Sequence, residues 1–240
     1  MKEMFIYFKM TLKTLLKNPT FRTLYSCLKY YSQWLQHLKP GQNSVINKIP
    51  WLTFSSIAII KKIITPDMTV FEYGSGGSTL FWSSHVKKVI SVEHNKEWHF
   101  KIKEELLKEK IDNVEYFILE AEVDINYSQK SSDNPGDYIS NDKSFTGKNF
   151  ETYVKKIDEC PDNYFDIVLV DGRARPSCIL HSLKKIKVNG YLILDNSERS
   201  YYLHRFQFDS QYWKREDHSG PAPYIRHFTQ TTVFKKLKSD

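Results

Sequence analysis

The chain has 240 residues, 40% of them hydrophobic and 15% aromatic, with 35 Lys and Arg against 28 Asp and Glu. That is long enough for one sizeable core, and no apolar run approaches the roughly 18 residues that span a bilayer. Seven basic residues (Lys2, Lys9, Lys13, Lys17, Arg22, Lys29 and Lys39) face the single acid Glu3 within residues 1–40, so six of the seven net positive charges sit on that arm. The other 200 residues are close to neutral, which argues against a nucleic-acid partner for the main body of the chain.

Residues 1–40 predict two helices broken near Asn18-Pro19. In the second, Phe21, Leu24, Leu28, Tyr31, Leu35 and Leu38 recur at spacings of three and four, drawing one apolar stripe that Pro40-Gly41 ends. Such a stripe packs on the rest of the chain or on a second copy, or it lies as a basic amphipathic segment on an anionic membrane. The N-terminal apolar run is cut by Lys9 and no small-residue cleavage site follows, so no cleavable leader is expected. Cys27, Cys160 and Cys178 are odd in number and lack metal spacing. They read as reduced structural thiols of a cytoplasmic protein, with peripheral membrane attachment through residues 1–40 as the variant.

From residue 49 the pattern becomes strands alternating with helices, giving an extension over 1–48 and a main domain over 49–240. Strands are predicted at 69–73, 88–92, 114–119, 165–170 and 190–194, with helices at 53–64, 78–84, 96–109, 149–159 and 177–186. This alternation implies an α/β doubly wound, mostly parallel sheet, and the near-continuous apolar runs FDIVLV and YLIL fit strands buried on both faces. Residues 122–147 form a long polar stretch after the third strand, on the side where such sheets bind ligands, and read as a lid. Strands at 211–216 and 231–237, with no helix pattern between them, predict a C-terminal antiparallel hairpin.

The densest signal is VFEYGSGGSTLFWSSHVKKVISVE, residues 70–93. A strand enters the turn Gly74-Ser75-Gly76-Gly77-Ser78, a helix follows, and the next strand ends on Glu93. Glycines let backbone approach a ligand, and an acid at the second strand tip suits two ribose hydroxyls. A dinucleotide fingerprint wants a third glycine where Thr79 stands. A pyrophosphate is also ill served by Glu72 beside the turn, whereas the ammonium of S-adenosylmethionine suits it. An NAD-dependent oxidoreductase is therefore the alternative, as is a cofactor-binding module docked through its basic arm.

Taken together, Glu72, the glycine turn, Glu93 and the hairpin resemble class I S-adenosylmethionine-dependent methyltransferases over about residues 50–237. The resemblance implies a Rossmann-like seven-stranded sheet whose last strand is inserted antiparallel. It implies that Glu72 and Gly74, Ser75, Gly76, Gly77 and Ser78 hold the methionine part and Glu93 the ribose. His94 would border the adenine, Glu120 would meet its amine, and Asp171 would face the methyl donor.

For the chemistry, Asp171 and Asp195 are the candidate catalytic acids. With Asn196 they are similar to the metal triad of catechol-type O-methyltransferases, a set of oxygens suited to Mg²⁺. Gly172 and the arginines Arg173, Arg175 and Arg199 depart from that signature and suggest an anionic or polyhydroxylated small-molecule acceptor. The expected activity is O-methylation of a small-molecule or glycan-like hydroxyl, with no nucleic-acid substrate. Arg226 and His227 are placed to close over an acceptor, while His181 and His204 read as structural.

Overall fold

A computed structural model describes residues 1–238. Seven strands form its main sheet: β1 (Thr69–Tyr73), β2 (Lys88–Glu93), β3 (Val114–Ile118), β4 (Phe165–Val170), β5 (Ile186–Asp195), β6 (Trp213–Gly220) and β7 (Thr229–Lys236). Their spatial order is β3-β2-β1-β4-β5-β7-β6, parallel except that β7 runs antiparallel to both β5 and β6. Strand order reverses between β1 and β4, so the loops beyond Tyr73 and Val170 flank the crevice where open sheets bind ligands.

Alternation along the strands divides the core. Phe71, Tyr73, Val168 and Val170 face one side, under α8 (Glu151–Lys155) and α9 (Arg175–Ser182). Val70, Ile167, Leu169 and Ile193 face the other. There they meet Phe54, Ile57 and Ile60 of α5 (Phe54–Ile63), and Phe81 and Trp82 of α6 (Gly77–Ser83). Both faces are buried, as the near-continuous apolar runs FDIVLV of β4 and YLIL of β5 require. Helix α7 (Lys96–Lys108) packs on β2 and β3 and is capped by Asn95, whose side chain accepts from the Trp98 amide.

The sequence-based boundaries shift in places. Strand β5 starts at Ile186, earlier than residue 190, because α9 stops at Ser182. Polar Lys187 is held there by Asp166 at 2.9 Å. The helix expected over 149–159 tightens after Lys155 into a 3₁₀ turn. Strand β6 runs on to Gly220 instead of stopping at 216.

The N-terminal arm differs most. It forms α1 (Lys2–Lys17), α2 (Phe21–Lys29), α3 (Tyr31–His37) and α4 (Ser44–Asn47). The expected continuous stripe is broken at Tyr30, where the helix interrupts. Helix α2 turns Thr23, Ser26 and Cys27 inward and leaves Phe21 and Leu28 facing solvent. Small residues are required because α2 lies on β6: a Cβ on Gly220 would come within 2.8 Å of Ser26 Oγ. The arm is tied down by Tyr7 donating to the Cys27 carbonyl and by Trp34 Nε1 donating to the Ile225 carbonyl at 2.8 Å. Arg226 pairs with Glu3 at 3.1 Å, so Arg226 is engaged with α1.

Helix α4 seats α6. A Cβ on Gly77 would lie 2.0 Å from the Ser44 carbonyl oxygen and 2.7 Å from that of Ile49, both backbone atoms. Gly77→Ala is therefore expected to cost about 1–3 kcal/mol in urea unfolding, the range for overpacking. Gly136→Ala, whose new Cβ would meet nothing nearer than Asn134 Oδ1 at 3.8 Å, should leave the unfolding midpoint unchanged.

Candidate functional site

The glycine turn is built from contacts that only a bare backbone allows. Gly74 adopts φ +88°, and a Cβ on it would lie 2.9 Å from Gly172 Cα. The turns after β1 and β4 thus touch backbone to backbone. The turn is braced from below by Glu72. One carboxylate oxygen of Glu72 accepts from Thr79 Oγ1 at 2.6 Å and Ser91 Oγ at 2.8 Å, and Thr79 Oγ1 in turn accepts from the Gly76 amide at 3.0 Å. Ser78 is also buried beside this carboxylate. Glu72 is fully buried, its other oxygen has no partner, and it is not part of the cavity wall. Burial, only partly offset by the surrounding hydroxyls, pushes its pKa up to about 7.

Glu93 behaves in the opposite way. One oxygen accepts from the Ser75 amide at 3.0 Å and Ser75 Oγ at 2.9 Å; the other accepts from the amides of His94 and Asn95, each at 2.8 Å. His94 Nδ1 lies 2.9 Å away. Burial opposes ionisation, but these donors outweigh it and hold the carboxyl below its ordinary range. The hydroxyl of Ser75 also meets Tyr116 Oη at 2.6 Å, and Trp98 Nε1 donates to the Ser75 carbonyl at 2.9 Å.

Gly74, Ser75, Glu93, His94, Asp171, Gly172 and Arg173 line a cavity of about 610 Å³, with Trp51 and Trp98 in its wall. A second cavity of about 390 Å³ shares Gly172 and Arg173 with the first. It adds Arg175, Arg199, Tyr201 and Tyr202, while residues 139–142 supply another part of its wall. The polar stretch 122–147 is therefore a wall as placed. Its base is closed by a two-stranded ladder of Glu122–Val123 with Lys148–Asn149, and Asp142 reaches Arg173 at 3.1 Å. A third cavity of about 300 Å³ lies over Asp171, Asp195 and Asn196, with His227 at its edge.

The acids at the tips of β4 and β5 are brought together by Arg175. Its guanidinium donates to Asp171 Oδ1 at 2.9 Å, to the carbonyls of Asp171 and Gly172, and to the carbonyl of Asp195; Asp195 Oδ2 is 3.9 Å away. Thr231 Oγ1 donates to Asp195 Oδ1 at 2.9 Å. Burial raises both acids above their ordinary range, and Arg175 counters it. The expected Mg²⁺ set of Asp171, Asp195 and Asn196 does not fit this arrangement. Arg175 already pairs with Asp171 Oδ1 at 2.9 Å and lies 3.9 Å from Asp195 Oδ2, so a positive charge is in place at the two acids. Among the described residues no group of three His, Cys, Asp or Glu side chains could hold a metal ion.

Glu120 is exposed and lines none of the three cavities, because β3 ends at Ile118 at the sheet edge. His181 pairs with Asp158 and His204 with Asp133, away from the acid pair. In the first cavity, sequence reasoning passed over Trp51, Asn95, Glu97, Trp98 and Lys101. The available signal was Trp98 in the first turn of α7, five residues after Glu93, where an aromatic ring flanks a strand tip. All three cysteines are free.

The raised pKa of Glu72 has a defined stability signature. The folded protein holds a proton that the unfolded chain releases above about pH 4.5, so this contribution is full at low pH and is lost as pH rises towards 7. The loss amounts to about 3 kcal/mol. Glu72→Gln should remove it, so the melting temperature of the variant relative to the parent should climb between pH 5 and 8. Parallel melting curves across that range would mean that Glu72 is ionised in the fold.

No protein-family model matches the chain, and no curated protein matches it significantly. Solved structures do match. A candidate O-methyltransferase from Klebsiella pneumoniae aligns over 86% of this chain and 99% of its own, at 13% identity and a TM-score of 0.52. A candidate methyltransferase from Streptococcus mutans, in complex with S-adenosylhomocysteine, aligns over 78% and 99% at 12% identity and 0.51. A candidate rRNA methylase from Clostridium thermocellum aligns over 80% and 99%, also at 12% and 0.51. Strand order, the antiparallel hairpin and the glycine turn at the switch point agree with these likenesses: the chain has the class I S-adenosylmethionine-dependent methyltransferase fold.

Proposed function

We propose that the protein transfers a methyl group from S-adenosylmethionine to a hydroxyl of a small, anionic or polyhydroxylated acceptor. The observation that carries this reading is the meeting of two cavities at one strand tip. The larger has a nucleoside-type wall around Glu93, the smaller is rich in arginine, and both open on Gly172 and Arg173.

The residues present fit the cofactor. Glu93 is charged and lies at the cavity wall, where its oxygens would accept from ribose hydroxyls. Its lone pairs are now met by Ser75 and by backbone amides, so Ser75 Oγ, the one rotatable donor among them, would yield to a ribose hydroxyl. Trp98 and His94 offer flat apolar surface for an adenine, and the bare backbone at Gly74 lets the methionine portion approach closely. Glu72 would act from beneath the turn, holding the glycine backbone in place through Thr79 without meeting the cofactor itself. When bound, S-adenosylmethionine supplies an electrophilic methyl group on a sulfonium.

The chain's own groups would do the rest. Gly172 and Arg173 separate the two cavities and would set the line along which the acceptor oxygen approaches. Asp171, reaching the first and third cavities, would take the hydroxyl proton as the new C–O bond forms and the C–S bond breaks. Arg175 holds that carboxylate in place. Arg199 donates to the Tyr202 hydroxyl at 3.0 Å and pairs with no carboxylate among the described residues, which leaves it suited to an anionic group on the acceptor.

The test is transfer of labelled methyl from S-adenosylmethionine to a panel of sugar phosphates, uronic acids, neutral polyols, catechols and bulk rRNA and tRNA. Label is expected in anionic hydroxyl compounds and undiminished by a chelator. Label confined to RNA, or thermal stabilisation by NAD but not by S-adenosylmethionine, would overturn the reading. Asp171→Asn should lower turnover by about 10²–10⁴-fold while cofactor binding, read by thermal shift, persists. Glu93→Gln should instead weaken cofactor binding by about tenfold or more, since it removes a charged acceptor.

A further inference from the structure

We propose that the outward face of α1 and α2 is a docking surface for an anionic lipid bilayer. The inference is independent of the reaction assigned above.

Helix α1 is two-faced. Tyr7 is buried and Ile6 packs with it on the sheet side. On the opposite side Phe5, Phe8, Leu12 and Leu16 follow one another at spacings of three and four, and are 70%, 67%, 52% and 77% exposed. Beside this row runs a second, of Lys2, Lys9, Lys13 and Lys17, also exposed. Helix α2 repeats the arrangement: Thr23, Ser26 and Cys27 are buried, while Phe21 at 83% and Leu28 at 71% point outward. Isolated apolar side chains on a surface need no explanation, but two consecutive helices each with a complete outward apolar row do.

The charge chooses the occupant. Within residues 1–40 the one acid, Glu3, is engaged by Arg226. A second copy of the chain would bring only the same lysines to the face, and the one acid of residues 1–40 is already paired. An anionic membrane answers both rows at once, taking the aromatic and leucine side chains into the headgroup boundary and the lysines against lipid phosphates. No helix among the described residues is long and apolar enough to cross a membrane, so α1, about 24 Å long, would lie in the plane of the surface. Each lysine near such a surface strengthens binding about fivefold at moderate salt.

The experiment is co-sedimentation of the full chain with vesicles of phosphatidylcholine alone and of phosphatidylcholine mixed with phosphatidylglycerol. Binding is expected to the mixed vesicles, to exceed that to phosphatidylcholine by about tenfold or more, and to fall with added salt. The double substitution Phe5→Glu and Phe8→Glu should abolish it, as should Lys9→Glu with Lys13→Glu, both at an unchanged melting temperature because these residues face solvent. Equal binding to the two vesicle types, or none, would overturn the proposal. So would a dimer in sedimentation equilibrium that Phe8→Glu dissociates, which would assign the face to a second copy.

Discussion

Arg175 is the interaction on which the ligand side of the sheet depends. Asp171 and Asp195 end neighbouring strands, and burial penalises the charge on each. Left alone they would repel and splay the tips of β4 and β5. One guanidinium binds the carbonyls of both and the carboxylate of Asp171, joining the two strand ends into one rigid floor. Placing it there requires Ala174 to take a left-handed conformation at φ +46°, at a cost of about 1–2 kcal/mol. Removing either partner of such a buried pair is far more harmful than the pair is stabilising, because an uncompensated charge remains behind. The same cation accounts for the poor fit of a metal, because the chain already supplies a positive charge against these acids.

Much of the fold could be read in advance because it rests on simple periodicities. Strands β4 and β5 carry the near-continuous apolar runs FDIVLV and YLIL, and the hairpin followed from the lack of a helix between two strand-like segments. What escaped prediction depended on partners distant in sequence. Lys187 interrupts the apolar pattern of β5, and only Asp166 across the sheet makes that position acceptable in a strand. The stripe read along residues 21–38 assumed one continuous helix. The interruption at Tyr30 rotates it, and the small residues Ser26 and Cys27 take the inward side because Gly220 offers them a close approach.

The site shows the same division. Glu72 and Glu93 are both acids near strand tips, and residue type alone cannot separate them. Their donors do. The His94 imidazole and backbone amides converge on Glu93 and keep it ionised, whereas Glu72 meets hydroxyls in a sealed space and favours its proton. Glu120 matched a positional expectation, but an edge strand that stops early leaves it in solvent. Arg175 was visible as a residue near the acids; that it lies between them is a property of the turn at Ala174, which no spacing rule reports.

The seat of Gly77 on the Ser44 and Ile49 carbonyls has a wider consequence. The first turn of α6, which carries the glycine loop, rests on main chain supplied by the segment leading out of the N-terminal arm, and Trp51 from the same segment stands in the cavity wall. The arm is therefore not an appendage that could be exchanged between proteins sharing this sheet. A change at Ser44 or Ile49 that moves either carbonyl would therefore shift the first turn of α6, and with it the glycine loop.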